Sequence, residues 1–112
     1  MVTGMAVSDD FLEFVLEQLA PLGALKPKRM FGGVGLYANG LFFAILDDDT
    51  LYLKGDETLK PQFEAAGGHA FDPFGEGKPM AYWSAPAEAM DDPDLLVEWA
   101  HKALEVAARK KR

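Results

Sequence analysis

The residues that could do chemistry in this chain are few and scattered. Ser8 and Ser84 carry hydroxyls, His69 and His101 carry imidazoles, and Arg29 stands beside Met30, Phe31, Gly32, Gly33 and Gly35. A serine nucleophile needs a base within hydrogen-bond reach, and neither serine has one nearby in sequence, which leaves only a base brought in by the fold. The two histidines lack the close second ligand that a helical zinc site requires. Asp47-Asp48-Asp49 lacks the glycine and distant glutamate of a calcium loop and reads as a turn. Gly32-Gly33-Val34-Gly35 lacks the lysine and hydroxyl of a phosphate loop, and Leu36-Tyr37 continue a strand where a dinucleotide fingerprint would open a helix. The glycines are expected to admit a close backbone approach instead. Tyr82-Trp83 could stack on a base or ligand and Arg29 could bind an anion, although core aromatics and a strand-end charge are the simpler readings. No catalytic residue, cofactor site or metal site is therefore assigned, and the chain is read as non-enzymatic.

Composition narrows the class. The 112 residues suit one domain, 49% of them hydrophobic and 26% charged, as in an ordinary globular protein. Cysteine is absent, which removes disulfides and thiolate chemistry and fits a reducing cytoplasm. No run approaches the length of a membrane span, and Met1 to Gly4 lack the charged and apolar regions of a signal peptide. The net charge is −7, and Arg109 to Arg112 supply four of the 11 basic residues. Such a balance opposes a general grip on nucleic acid, while the basic end suits the C-terminus of a helix. Residues 1–7 read as a flexible leader, 8–108 as the domain and 109–112 as a basic tail.

The elements that would position these residues follow from local pattern. Ser8 caps a helix whose apolar stripe is Phe11, Leu12, Val15, Leu16 and Leu19. Ala24 to Lys28 reads as a linker held extended by Pro27, with the sheet beginning near Arg29. Asn39-Gly40 marks a hairpin. The strand after it alternates Leu41, Phe43 and Ile45 with Phe42, Ala44 and Leu46, apolar on both faces and so in need of cover on both. A third strand spans Leu51 to Lys54. A short helix carries Leu59, Phe63 and Ala66, two strands lie near His69 to Phe71 and Lys78 to Ser84, and a last helix is capped by Asp92. The expected fold is α+β, with three helices and a five-stranded antiparallel sheet in the order α-β-β-β-α-β-β-α.

Three segments in this order resemble the TfoX/Sxy N-terminal domain family: Arg29 to Tyr37, Phe63 to Gly67, and Tyr82 to Pro86 with Asp91 to Pro93. The resemblance spans roughly residues 8–108. It implies a two-layer, secretion-chaperone-like α/β fold, no catalytic residues, and transcriptional coregulation linked to DNA-uptake competence. By this resemblance the chain is expected to correspond to the N-terminal part of the competence regulator, without its second domain. The leading expectation is a cytoplasmic protein-interaction domain, homodimeric or bound to a protein partner such as the transcription machinery. Its motive is an apolar sheet face left open by the helices. Two other readings stay open. One is nucleic-acid binding through residues 109–112 and Tyr82-Trp83; the other is a small-ligand or enzymatic site at the glycine segment with Arg29.

Overall fold

In the computed structural model the described residues are 7–30, 33–72, 77 and 80–111. They form one six-stranded, wholly antiparallel sheet with four helices. Helix α1 spans Asp9–Gln18, and the Ser8 hydroxyl accepts the Phe11 N–H at 3.1 Å. Asp9 and Asp10 lie in its first turn, where the helix dipole favours negative charge. After a 3-10 turn at Ala20–Leu22 come β1 (Leu25–Met30), β2 (Gly33–Ala38), β3 (Leu41–Asp47) and β4 (Thr50–Lys54). Helix α2 (Lys60–Ala65), β5 (Ala70–Phe71), β6 (Met80–Ser84), α3 (Ala87–Met90) and α4 (Pro93–Lys111) complete the order.

Two expectations about element number are corrected. The segment read as a linker is an edge strand: Leu25 to Met30 pair in register with Ala38 to Gly33. An edge strand tolerates Pro27, because one side of its ladder needs no donor, and local pattern cannot distinguish it from an extended linker. The sheet accordingly has six strands rather than five. The join before the last helix also folds, as the single turn α3, so there are four helices rather than three. Strand order is β1-β2-β3-β4-β6-β5.

The Asn39-Gly40 hairpin forms as expected, with φ of +52° and +81° at its two central residues. The alternation along β3 does not hold. Leu36 pairs with Ala44 but Tyr37 pairs with Phe42, so Phe43 is an extra, bulged residue. Leu41, Phe43, Ala44 and Leu46 consequently join the main core, whereas Phe42 and Ile45 belong to a second cluster.

All four helices contribute to the main core, where Val15, Phe63, Ala89 and Leu96 pack with Leu36, Leu46, Leu53 and Trp83. Helix α4 packs over β3 and β4, and α2 packs against β6. The molecule is thus two-layered, with its helices on one side of the sheet. Val7, assigned to the leader, is buried in this core. Residues 109–111, assigned to a tail, continue α4. Arg109 reaches back to Asp56 at 2.8 Å.

Asp56 organises the entry to α2. Its Oδ1 accepts the Thr58 hydroxyl at 2.7 Å and the Thr58 and Leu59 N–H groups at 3.0 Å each. The Thr58 hydroxyl, with Arg109 and these N–H groups, holds the carboxyl down at about 2. Because the folded pKa lies below the unfolded value near 4, this stabilisation is complete above pH ~4 and is lost as pH falls through about 2. Asp56→Ala is expected to cost about 1.5 kcal/mol at pH 7, the loss typical of a capping residue. Urea melts at pH 7 and pH 2 check this, and the difference between variant and wild type should shrink at the lower pH.

Candidate interaction surface

Among the described residues, the sheet side without helices is built mainly from strand residues. Cross-strand pairing sets its membership, since directly paired residues share a face. Lys26 pairs with Tyr37 and Lys28 with Gly35. Tyr37 pairs with Phe42, Gly35 with Ile45, Ile45 with Tyr52, and Lys54 with Tyr82. Ile45, Phe71 and Tyr82 are buried in this cluster, with Phe42, Tyr52 and Met80 half-buried around them. Tyr37 is half-buried beside Phe42.

The rings pack mainly on one another. Tyr37 stacks on Phe42 with centroids 5.0 Å apart, and Phe42 meets Tyr82 at 5.7 Å. Tyr52 lies 4.6 Å from Phe71 and takes His69 edge-on at 5.8 Å. Lys54 Nζ sits 5.0 Å from the Tyr82 ring centroid and 3.4 Å from its hydroxyl. Burial, with the Tyr37 hydroxyl as the lesser cause, pushes the Tyr82 hydroxyl up to about 12. Burial likewise raises Tyr52, helped by the nearby Asp47 and Asp48 carboxylates. These phenols remain neutral donors at working pH.

Asp47 closes one end of β3. It is buried, and its Oδ1 has no hydrogen-bond partner. Burial, then the Asp48 carboxylate, raises its pKa. The folded state therefore holds this proton more tightly than the unfolded chain. Stability is greatest below the unfolded value near 4 and declines as pH rises through the folded one. Asp47→Asn, which cannot ionise, is expected to gain about 1 kcal/mol at pH 7. Melting temperatures at pH 7 should rise by about 4 °C, and the gain should vanish below pH ~4.

The candidate residues from the sequence disperse. Arg29 is exposed on edge strand β1, and the Met30 backbone pairs with Gly33. Phe31 and Gly32 lie outside the described residues. Gly33 leaves no room for a Cβ beside the Leu46 carbonyl, and Gly35 is buried between β1 and β3. Tyr82 and Trp83 are neighbours in a strand and so project to opposite faces. Tyr82 joins the open-face cluster, while Trp83 stacks on Phe63 in the helix layer. They do not form one stacking patch.

The fold does bring a base to Ser84. Its Oγ accepts the His69 N–H at 2.9 Å and lies 3.2 Å from His69 Nδ1. Ser84 is nevertheless buried, and its own N–H donates to the His69 carbonyl, so the pair ties β5 to β6. Ser84 and His69 line none of the open clefts beside the helix layer. One, of about 560 Å³, runs beside Asp56, Thr58, Lys60 and Trp83. Another runs beside Phe11, Phe14 and Met90. Among the described residues no group of three or more potential ligands could hold a metal ion, and no helix is long and apolar enough to cross a membrane.

The model of the TfoX N-terminal domain matches residues 17–107. The chain belongs to this family. Among curated proteins, the DNA transformation protein TfoX1 of Aliivibrio fischeri is 32% identical over 65 residues. That alignment covers 58% of this chain and 29% of the relative, so the similarity spans less than a third of the relative's length. The fold expected from the family resemblance, a mixed domain with an antiparallel sheet, is the one observed.

Tyr37, Phe42, Tyr52 and Phe71 are the members of the face that sequence reasoning missed as a group. The available signal was four aromatic residues spread over separate strand segments. Their meeting depends on the β3 bulge and on β6 lying between β4 and β5, which no local pattern reveals.

Proposed function

We propose that this TfoX-family domain is a non-enzymatic protein-interaction module of the cytoplasm, and that its contact surface is the helix-free aromatic face. The observation that carries the reading is that every helix packs on one side of the sheet. Among the described residues, the other side holds a cluster of rings carried by the strands. Half-buried rings that already pack together lose little entropy on meeting a partner, and such aromatic patches supply much of the energy of protein interfaces. Similarity to a DNA transformation protein supports a role connected with DNA uptake, and the form proposed for that role is transcriptional coregulation through contact with transcription proteins. A second copy of the chain is the other occupant this reading admits.

The test compares wild type with Tyr37→Ala/Phe42→Ala in tagged pull-downs from the native host, alongside sedimentation of the purified proteins. Loss of RNA polymerase subunits or of a cyclic-AMP-receptor-like regulator from the variant alone would support coregulation through this face. Loss of a dimer would support self-association. Identical partners and identical mass for both proteins would refute the reading.

A further inference from the structure

We infer that the cleft between α1, α3 and the turn joining β3 to β4 takes a basic segment of another protein, one whose lysines or arginines are interspersed with large apolar side chains. This surface belongs to the helix layer, apart from the aromatic face, so the inference goes beyond the reading above and does not depend on it.

The cleft holds about 370 Å³, a size that suits anchoring side chains. Its apolar walls are Phe11 and Phe14 of α1, Leu51 of β4, Ala85, and Met90 of α3. Phe11 and Phe14 lie side by side, as residues three apart on a helix do. Phe14 is 36% exposed, the most open large hydrophobic residue among those described. Asp49 and Asp91, both exposed, line the cleft as well. The turn is fixed against the start of α1: Asp49 Oδ1 accepts the Ser8 N–H at 2.8 Å, and the Thr50 hydroxyl donates to the Asp48 carbonyl at 3.3 Å.

The surroundings carry one sign of charge. Residues 7–25, 38–53 and 84–100 supply every wall and contain no lysine or arginine, whereas most of the chain's 18 acidic residues lie in them. Asp9, Asp10 and Glu13 on α1, Asp48 in the turn and Glu88 on α3 are all exposed. The cations of neighbouring elements stand elsewhere. On α4, Lys102 reaches Gln62 at 3.0 Å and Arg109 reaches Asp56 at 2.8 Å, both on the α2 side. Lys54, at the far end of β4, lies over Tyr82 on the opposite face. Arg29 shares the cross-strand row of Val34, Leu46 and Leu51 but is three strands from Leu51, about 14 Å at ordinary strand spacing. An apolar cleft in an acidic surround selects a cationic partner with apolar anchors. The anchors fill the cleft and the opposite charges favour encounter.

Other occupants fit less well. Nucleic acid and anionic lipid headgroups meet like charge. A second copy offering the same cleft would bring two acidic surfaces together. One offering its basic α4 end would make a head-to-tail contact, which grows into open chains unless the rotation closes. A small ligand needs a few converging polar groups to orient it, and those of Asp49 and Thr50 are already engaged within the chain.

Selection of a random-peptide display library against the full chain tests this, followed by anisotropy and chemical-shift mapping with the enriched peptides after synthesis. Lys/Arg-rich peptides with interspersed Leu, Phe, Met or Trp are expected, shifting amides around Phe11, Phe14, Leu51 and Met90. Their affinity should fall at least about tenfold in Phe14→Gln and in Asp49→Asn/Asp91→Asn, and should weaken as salt rises. These variants should fold: Phe14 lies outside both core clusters, and asparagine keeps an acceptor for the Ser8 N–H and tolerates the φ of +53° at Asp49. Mapping on the unaltered chain gives the answer independently of any variant. Neutral or acidic peptides that need Phe14 but not the two carboxylates would overturn the basic partner. Peptides that map only to the Tyr37 and Phe42 cluster, or no enrichment, would overturn the cleft as a docking site, the former while supporting the aromatic face. A mass that rises with concentration in wild type but not in Asp49→Asn/Asp91→Asn would assign the cleft to a second copy and likewise overturn the inference.

Discussion

Phe63→Ala is expected to destabilise the domain by about 4 kcal/mol, against the roughly 5–15 kcal/mol that holds a domain of this size folded. Phe63 is fully buried and forms the middle of a three-ring stack, 5.8 Å from Trp83 and 4.9 Å from Trp99. The stack joins three elements: Phe63 comes from α2, Trp83 from β6 and Trp99 from α4. Helix α2 has only six residues, too few to persist without its packing. Removing the ring both opens a cavity and detaches α2 from the sheet. Because Trp83 and Trp99 are the chain's two tryptophans, intrinsic fluorescence reports the same event, with a red shift of the native spectrum as well as a lower urea midpoint. Phe63→Leu should cost less than half as much, since it keeps most of the volume. An alanine variant with wild-type stability would mean that α2 is not held by this stack.

Gly33→Ala is expected to cost about 3 kcal/mol, at the upper end of what overpacking one methyl exacts. A Cβ at Gly33 would overlap the Leu46 carbonyl oxygen and crowd the Leu46 carbonyl carbon at 3.3 Å. Both obstacles are backbone, so no side chain can turn aside to make room. The strands β2 and β3 would have to separate where Val34 pairs with Leu46. That junction supports both layers, with Val34 and Leu46 in the main core and Ile45 in the open-face cluster. The variant should unfold at lower urea and lose amide protection first around Val34 and Leu46. Gly40→Ala offers a contrast. Nothing lies within 4 Å of its Cβ, and its penalty comes only from φ of +81° at the hairpin turn, so about 1 kcal/mol is expected.

Where local chemistry decides structure, the sequence sufficed. Ser8 before two aspartates and a helical stripe sets the start of α1. Asn39-Gly40 sets the first hairpin because both residues accept positive φ. Asp92-Pro93 starts α4, where Asp92 Oδ1 accepts the Leu95 N–H at 3.3 Å. The glycines near Arg29 were legible as points of close backbone approach, and Gly33 is one. These features depend on residues within a turn of each other.

Tertiary structure decided the rest. Whether Leu25 to Met30 is linker or edge strand depends on β2 being there to pair with it. Which of Phe42 and Phe43 faces the helices depends on one bulged residue, which inverts the alternation over half a strand. Tyr82 and Trp83 looked like one feature in the sequence and serve opposite layers, because successive strand residues point to opposite faces. The lysines of β1 and the rings of β2, β3, β4, β5 and β6 form one surface only through the order in which distant strands pair. That order reflects the burial of a single core by the whole chain, a long-range property that no short segment carries.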